Sequence, residues 1–95
     1  MALYRISSEA KEDLRRIYMR GLNEFGEAKA DEYFHSLFNK FDEIAKNPLM
    51  YQSVDEIRPG YRRAVCGSES IYYRIGPGAV EIMAIIGRQD TAGRL

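Results

Sequence analysis

The chain carries a single cysteine, a single histidine and no excess of either charge. Cys66 alone cannot close an internal disulfide and gives no metal-ligand spacing. A nucleophilic role for it needs an activating base, and the one histidine, His35, sits in a distant helical pattern. The longest apolar run, Ile82 to Ile86, is far too short to cross a bilayer, and the first ten residues hold no run of signal-peptide length. A cytoplasmic protein without membrane association is expected. Fourteen basic side chains balance fourteen acidic ones. Binding through phosphates draws on excess lysine and arginine that release counterions, so strong direct nucleic-acid binding is not expected.

What is present is ordinary globular material, and 95 residues suffice for one small domain spanning 1–95. Such a domain buries about 60–65% of its unfolded surface and is stable by a modest margin. Residues 3–7 alternate as a short strand, with Leu3, Arg5 and Ser7 on one face and Tyr4 and Ile6 on the other. Ser7 and Ser8 offer an N-cap, and Glu9, Glu12 and Asp13 place negative charge where a helix dipole favours it. Apolar or small residues at Ala10, Leu14, Ile17, Tyr18, Gly21, Leu22 and Phe25 mark one helix face, and Gly26 is a natural stop. A second helix is expected from about Glu27 to Lys46, with Ala30, Tyr33, Phe34, Leu37, Phe38, Phe41, Ile44 and Ala45 as its apolar set. A short glycine turn between two helices makes an antiparallel hairpin.

Beyond Pro48, "NPLMYQSVDE" reads as a loop, and then the period changes to two. Strands are expected over 61–67, 70–76 and 79–86, punctuated by Gly67-Ser68 and Gly76-Pro77-Gly78. Alternation puts Ile71, Tyr73 and Ile75 on one face and Tyr72 and Arg74 on the other, while Val80, Ile82, Ala84 and Ile86 share a face. The expected fold is α+β, in the order β-α-α-β-β-β, with a helical hairpin packed on a curved antiparallel sheet.

Chemistry-bearing residues concentrate in "IRPGYRRAVCGSESIYYR", where Arg58, Arg62, Arg63 and Arg74 mingle with Tyr61, Tyr72 and Tyr73. Residues 48–95 hold six arginines and no lysine against five acids. Arginine without lysine suits fixed, bidentate or stacked contacts and leans towards protein recognition. A solvated sheet edge with local ion pairs to Asp55, Glu56, Glu69 and Glu81 would also account for these arginines. Arg62 and Arg63 are adjacent in a strand and point to opposite faces, so at most one joins Arg74. A metal-free ribonuclease centre needs a base, cations and an acid. The arginines supply cations, but the sheet region has no histidine or lysine to move protons, and tyrosine ionises only near pH 10. A stripe of Asp31, His35, Asn39 and Asp42 could suggest metal ligands, although a solvated helix face accounts for it. No catalytic residues, metal or cofactor are expected.

The chain resembles the ParE branch of the RelE/ParE toxin superfamily, the toxin halves of bacterial type II toxin–antitoxin pairs. The likeness runs through "YRISSEAKEDLRRIY", "FGEAKADEYFHSLFNKFDEIAKNPL", "DEIRPGYRRAVCGSESIYYRI" and "VEIMAIIGRQD". It rests on their order and spacing rather than on any one motif. What it implies is a compact toxin held inactive by a cognate ParD-like antitoxin in a higher-order complex. ParE-like toxins trap DNA gyrase on cleaved DNA, while RelE-like relatives of the same fold cut mRNA on the ribosome. Many members carry a histidine where this chain has Glu69, and another near Ile86-Gly87, where this chain offers only Arg88 and Arg94. Those departures weaken a ribonuclease more than a gyrase poison, since a poison need not transfer protons.

The resemblance further implies that a partly disordered antitoxin lays an amphipathic helix across the helical hairpin and adds a strand to the sheet. Tyr18, Leu22 and Phe34, with Arg62, Arg63 and Arg74, are the expected antitoxin contacts. Arg58, Arg74, Arg88, Asp90 and Arg94 are the expected target contacts. A gyrase-directed toxin is the leading expectation. A ribosome-dependent mRNA endonuclease and a toxin fold reduced to an inactive binding module are the alternatives.

Overall fold

The computed structural model describes residues 3–87. Its elements run β1 (Tyr4–Ile6), α1 (Ser8–Phe25), α2 (Glu27–Lys46), β2 (Gln52–Ser53), β3 (Tyr61–Cys66), β4 (Glu69–Gly76) and β5 (Ala79–Gly87). The expected target contacts Arg88, Asp90 and Arg94 lie outside the described residues.

Ser7 starts α1 as expected. Its Oγ accepts the Ala10 amide at 3.0 Å and donates to the Met83 carbonyl at 3.0 Å, so one hydroxyl caps the helix and ties it to β5. Gly26, at φ 86°, ends α1 and opens α2. A left-handed φ strains any side chain, which is why a glycine makes this tight reversal. Leu37, Phe41 and Ile44 of α2 are fully buried against Ala10, Leu14 and Ile17 of α1 and the inner face of the sheet. Full burial of such a side chain contributes about 1.5–3 kcal/mol, so this layer holds the hairpin in place.

The sheet has five strands in the order β1-β5-β4-β3-β2. Two features differ from the expected all-antiparallel sheet. Residues 52–53, inside the segment read as a loop, pair antiparallel with β3. β1 pairs parallel with β5, Arg5 opposite Glu81. Local alternation identifies a strand but not the direction of its partner. A parallel pair needs a long crossover, and the α1–α2 hairpin is that crossover.

A third difference lies in β5. Tyr72 faces Ala84 but Tyr73 faces Ile82, so Met83 is the extra residue of a β-bulge. Val80 and Ile82 therefore enter the helix-side core together with Ile85, while Ala84 and Ile86 join Tyr61, Tyr72 and Val54 on the outer face. The expected single face of Val80, Ile82, Ala84 and Ile86 is split in two. Beyond the bulge, the Ile85 amide donates to Oδ2 of buried Asp13 at 2.9 Å, fastening α1 to β5.

Candidate functional site

The two helices leave a groove between the C-terminal half of α1 and the first turns of α2. Its volume is about 410 Å³. Its apolar wall includes Ile17, Tyr18, Gly21, Phe25, Ala30 and Phe34, and Arg20, Lys29, Tyr33 and Ser68 bring polar groups. The helices approach closely at small residues: a Cβ on Gly21 would lie 3.3 Å from the Ala30 Cβ. Tyr18 lies edge-on to Phe34 (5.2 Å), Phe34 packs on Phe38 (5.1 Å), and Phe38 on Phe41 (5.2 Å). That aromatic ladder anchors the groove wall in the core, each pair adding about 0.5–1.5 kcal/mol beyond burial.

Tyr18, Leu22 and Phe34, the expected apolar contacts, are all half-buried on this hairpin. Asp31 is not merely part of a solvated stripe. It accepts the Tyr18 hydroxyl at 2.5 Å, bridging the helices, and that hydrogen bond, with burial, pushes the tyrosine above its ordinary pKa. His35, Asn39 and Asp42 are exposed. Among the described residues, no group of three or more histidine, cysteine or acidic side chains could hold a metal ion. Phe25, placed by the helical pattern on the packed face, is 65% exposed at the groove mouth.

Beside the groove residues Arg20, Tyr33 and Ser68 lies a buried carboxylate that the sequence offered as an ion-pair acid and as a departure from the family's histidine. Glu69 is 2% exposed. Its Oε1 accepts the Tyr33 hydroxyl at 2.6 Å and the Ser68 hydroxyl at 3.1 Å, and its Oε2 takes Arg20 at 2.9 Å. Tyr33 also reaches the Cys66 carbonyl at 2.8 Å. Burial, then the hydrogen bond to Glu69, drives the Tyr33 hydroxyl far above its usual pKa. This network joins α1, α2 and the β3–β4 turn. No spacing rule links residues 20, 33 and 69, so only the fold reveals it.

The opposite face of the sheet carries the arginines. Arg62 is not among them: it points to the helix side, where its Nη1 donates to the Tyr51 carbonyl at 2.7 Å. Arg63 pairs across from Tyr72 and Arg74 from Tyr61, so these two share the outer face, as alternation requires. Arg63 donates to the Gln52 side chain at 3.2 Å. Arg74 donates from Nε to Glu81 Oε1 at 2.5 Å, and Arg5 reaches the other Glu81 oxygen at 3.4 Å and the Pro77 carbonyl at 3.2 Å. The Arg74 hydrogen bond is the main force holding the Glu81 carboxyl below the usual carboxylate range. Arg58 lies over the Tyr61 ring at 5.4 Å, which extends the row. Glu81 is one of the acids that the sequence offered as ion-pair partners for these arginines, whereas Arg5 was missed because its meeting with Glu81 depends on the parallel β1–β5 pairing.

No helix among the described residues is long and apolar enough to cross a membrane. In a comparison with solved structures, a chain of the chromosomal ParDE TA system from P. aeruginosa superimposes with a TM-score of 0.80, at 18% identity over 92% of this chain and 96% of that one. At that identity the likeness speaks for the fold. Sequence relatives are nearer. Toxin ParE1 of Caulobacter vibrioides is 36% identical over 92 residues, covering 97% of this chain and 95% of its own. Toxin ParE1 of Mycobacterium tuberculosis is 32% identical over 92 residues, covering 96% and 94%. Residues 4–91 match the family model described as the ParE toxin of type II toxin-antitoxin system, parDE. With nearly the whole chain matched and two such relatives covered over most of their length, the chain belongs to the ParE toxin family of type II toxin–antitoxin systems.

Proposed function

We propose that this chain arrests growth by trapping DNA gyrase on cleaved DNA, and that a ParD-like antitoxin holds it inactive in the cytoplasm. The observation that carries the reading is the division of labour between the two faces of the sheet. On the helix side, an apolar groove walled by Tyr18 and Phe34, with Phe25 exposed at its mouth, suits the apolar face of an amphipathic antitoxin helix. Among the described residues, the outer face offers fixed guanidinium groups and no free group suited to proton transfer. Its carboxylate at Glu81 is held ionised between two arginines, and Tyr61 and Tyr72 are buried. Such a surface binds without cutting, which favours a poison over a ribonuclease.

On this reading Tyr18, Leu22 and Phe34 meet the antitoxin, while Arg63 and Arg74 are open to either partner and Arg58 to the target. Arg62, committed to the Tyr51 carbonyl, serves the sheet more than a partner.

A supercoiling assay with purified chain and gyrase tests the proposal. Accumulation of linear, protein-linked DNA is the expected outcome. If folded protein at saturating concentration leaves gyrase unaffected while ribosome-bound mRNA is cut, the endonuclease reading replaces it. If neither occurs and expression without antitoxin does not arrest growth, the fold is serving as a binding module.

A further inference from the structure

The outer face carries one more feature, a transverse row running across four strands. It begins at Arg5 on β1, passes through Glu81 on β5 and Arg74 on β4, and ends at Tyr61 on β3 with Arg58 stacked over it. Glu81 is the one acid in the row and spends both oxygens on its neighbours. The arginines are nonetheless left open: the Arg5 side chain is 58% exposed and that of Arg74 47%. Arg74 uses its Nε–H on Glu81, and its Nη hydrogens make no other hydrogen bond among the described residues. Gly76 keeps this arrangement possible, because a Cβ there would come within 2.7 Å of the Glu81 carboxyl carbon. The carboxylate is thus a brace that fixes two guanidinium groups with free donors facing outward.

We propose that this row is the docking site for an acidic, extended segment of the toxin's protein target. The inference rests on the target reading given above. Charge selects the class of ligand: fixed arginines without lysine match carboxylates bidentately. The balanced net charge of the whole chain supplies no counterion-release drive towards a nucleic acid. Spacing selects the form. Arg5 and Arg74 stand on strands either side of β5, and strands about 4.8 Å apart put their backbones about 10 Å apart. A polyproline II segment brings every third side chain to the same side over about 9.3 Å. Acids at every third position of such a segment would meet Arg5 and Arg74 in turn, with Arg58 flanking the end of the row over Tyr61. The helix-side groove lies across the sheet from this row, so the two surfaces can be altered separately by mutation.

Fluorescence anisotropy tests this with a short labelled peptide carrying glutamate at every third position, its glutamine counterpart, and a short DNA duplex. The glutamate peptide is expected to bind at least about tenfold more tightly than the glutamine one, a difference of one order in Kd. Arg5→Ala with Arg74→Ala should abolish that preference at an unchanged melting temperature. Should the double variant fail to fold, Arg58→Ala, which alters only the end of the row, takes its place. Equal affinity for the two peptides, or tighter binding of the duplex, overturns the proposal. The gyrase assay fails or succeeds independently. Cleavage without peptide preference removes the row alone, and peptide preference without cleavage removes gyrase as the target while leaving the row.

Discussion

Adjacent residues Tyr72 and Tyr73 point to opposite faces of β4 and have opposite fates. Tyr73 enters the helix-side core and donates to the Pro48 carbonyl at 2.6 Å, pinning the end of the helical hairpin to the sheet. Tyr72 enters the small outer cluster, fully buried, and its hydroxyl finds no partner among the described residues. A buried hydroxyl without a partner costs about 1–3 kcal/mol, whereas a made hydrogen bond returns about 1 kcal/mol. Tyr72→Phe is therefore expected to leave stability unchanged or raise it, and Tyr73→Phe to lower it by about 1 kcal/mol, in urea unfolding. The pair also differs in pH dependence. Burial pushes the Tyr73 hydroxyl up to about 12 from its ordinary 10.0. The folded state then keeps a proton that the unfolded chain gives up. Stability from this group is complete below pH 10 and is lost as pH rises towards 12. Tyr73→Phe should flatten that alkaline decline without abolishing it, because Tyr33 is raised as well. An identical slope in the variant would show that burial of this hydroxyl is not what sets it.

At the scale of elements, the β3–β4 turn is more than punctuation between strands. Gly67 sits at φ 57°, and a Cβ there would lie 2.6 Å from Cε1 of Tyr33. The ring fills the space above the glycine in order to reach Glu69 and the Cys66 carbonyl. Gly67→Ala thus combines backbone strain with displacement of Tyr33 from a buried carboxylate. A loss of roughly 1–3 kcal/mol is expected from the strained position, before the hydrogen-bond network is counted. The near-ultraviolet dichroism of the tyrosines should change with it. Native stability and spectrum in Gly67→Ala would mean that the turn tolerates a side chain and the network can re-form around it. The turn itself was readable from Gly67-Ser68, as were both helices to within a residue, because capping and periodicity are local signals. The Glu69 network, the Met83 bulge and the parallel pairing of β1 were not. Each depends on which distant strand or helix lies alongside, and alternation within one strand is blind to that.

On the scale of the whole molecule, a net charge of zero conceals a division by face. Aromatic and apolar residues gather where the helices part, and arginines gather behind the sheet. The arginine strip was visible in the sequence, yet only the register sends Arg62 to the helices and brings Arg5 beside Arg74 through Glu81. If the groove takes the antitoxin and the outer row takes the target, the two functions should separate by mutation. Phe34→Asp puts a charge into the groove wall, where an apolar helix face could not solvate it. It should weaken antitoxin capture while leaving gyrase trapping intact, so the variant stays toxic when the antitoxin is co-expressed. Arg74→Ala should do the reverse. An arginine at the centre of a protein interface commonly carries a large share of the binding energy, and its loss should lower gyrase affinity at least about tenfold. Melting curves must first show both variants folded, since Phe34 also carries part of the aromatic ladder. Parallel loss of both activities in each variant would tie the two faces into a single surface. Growth assays with and without antitoxin read that difference directly, because only separate surfaces allow one variant to escape neutralisation and the other to escape toxicity.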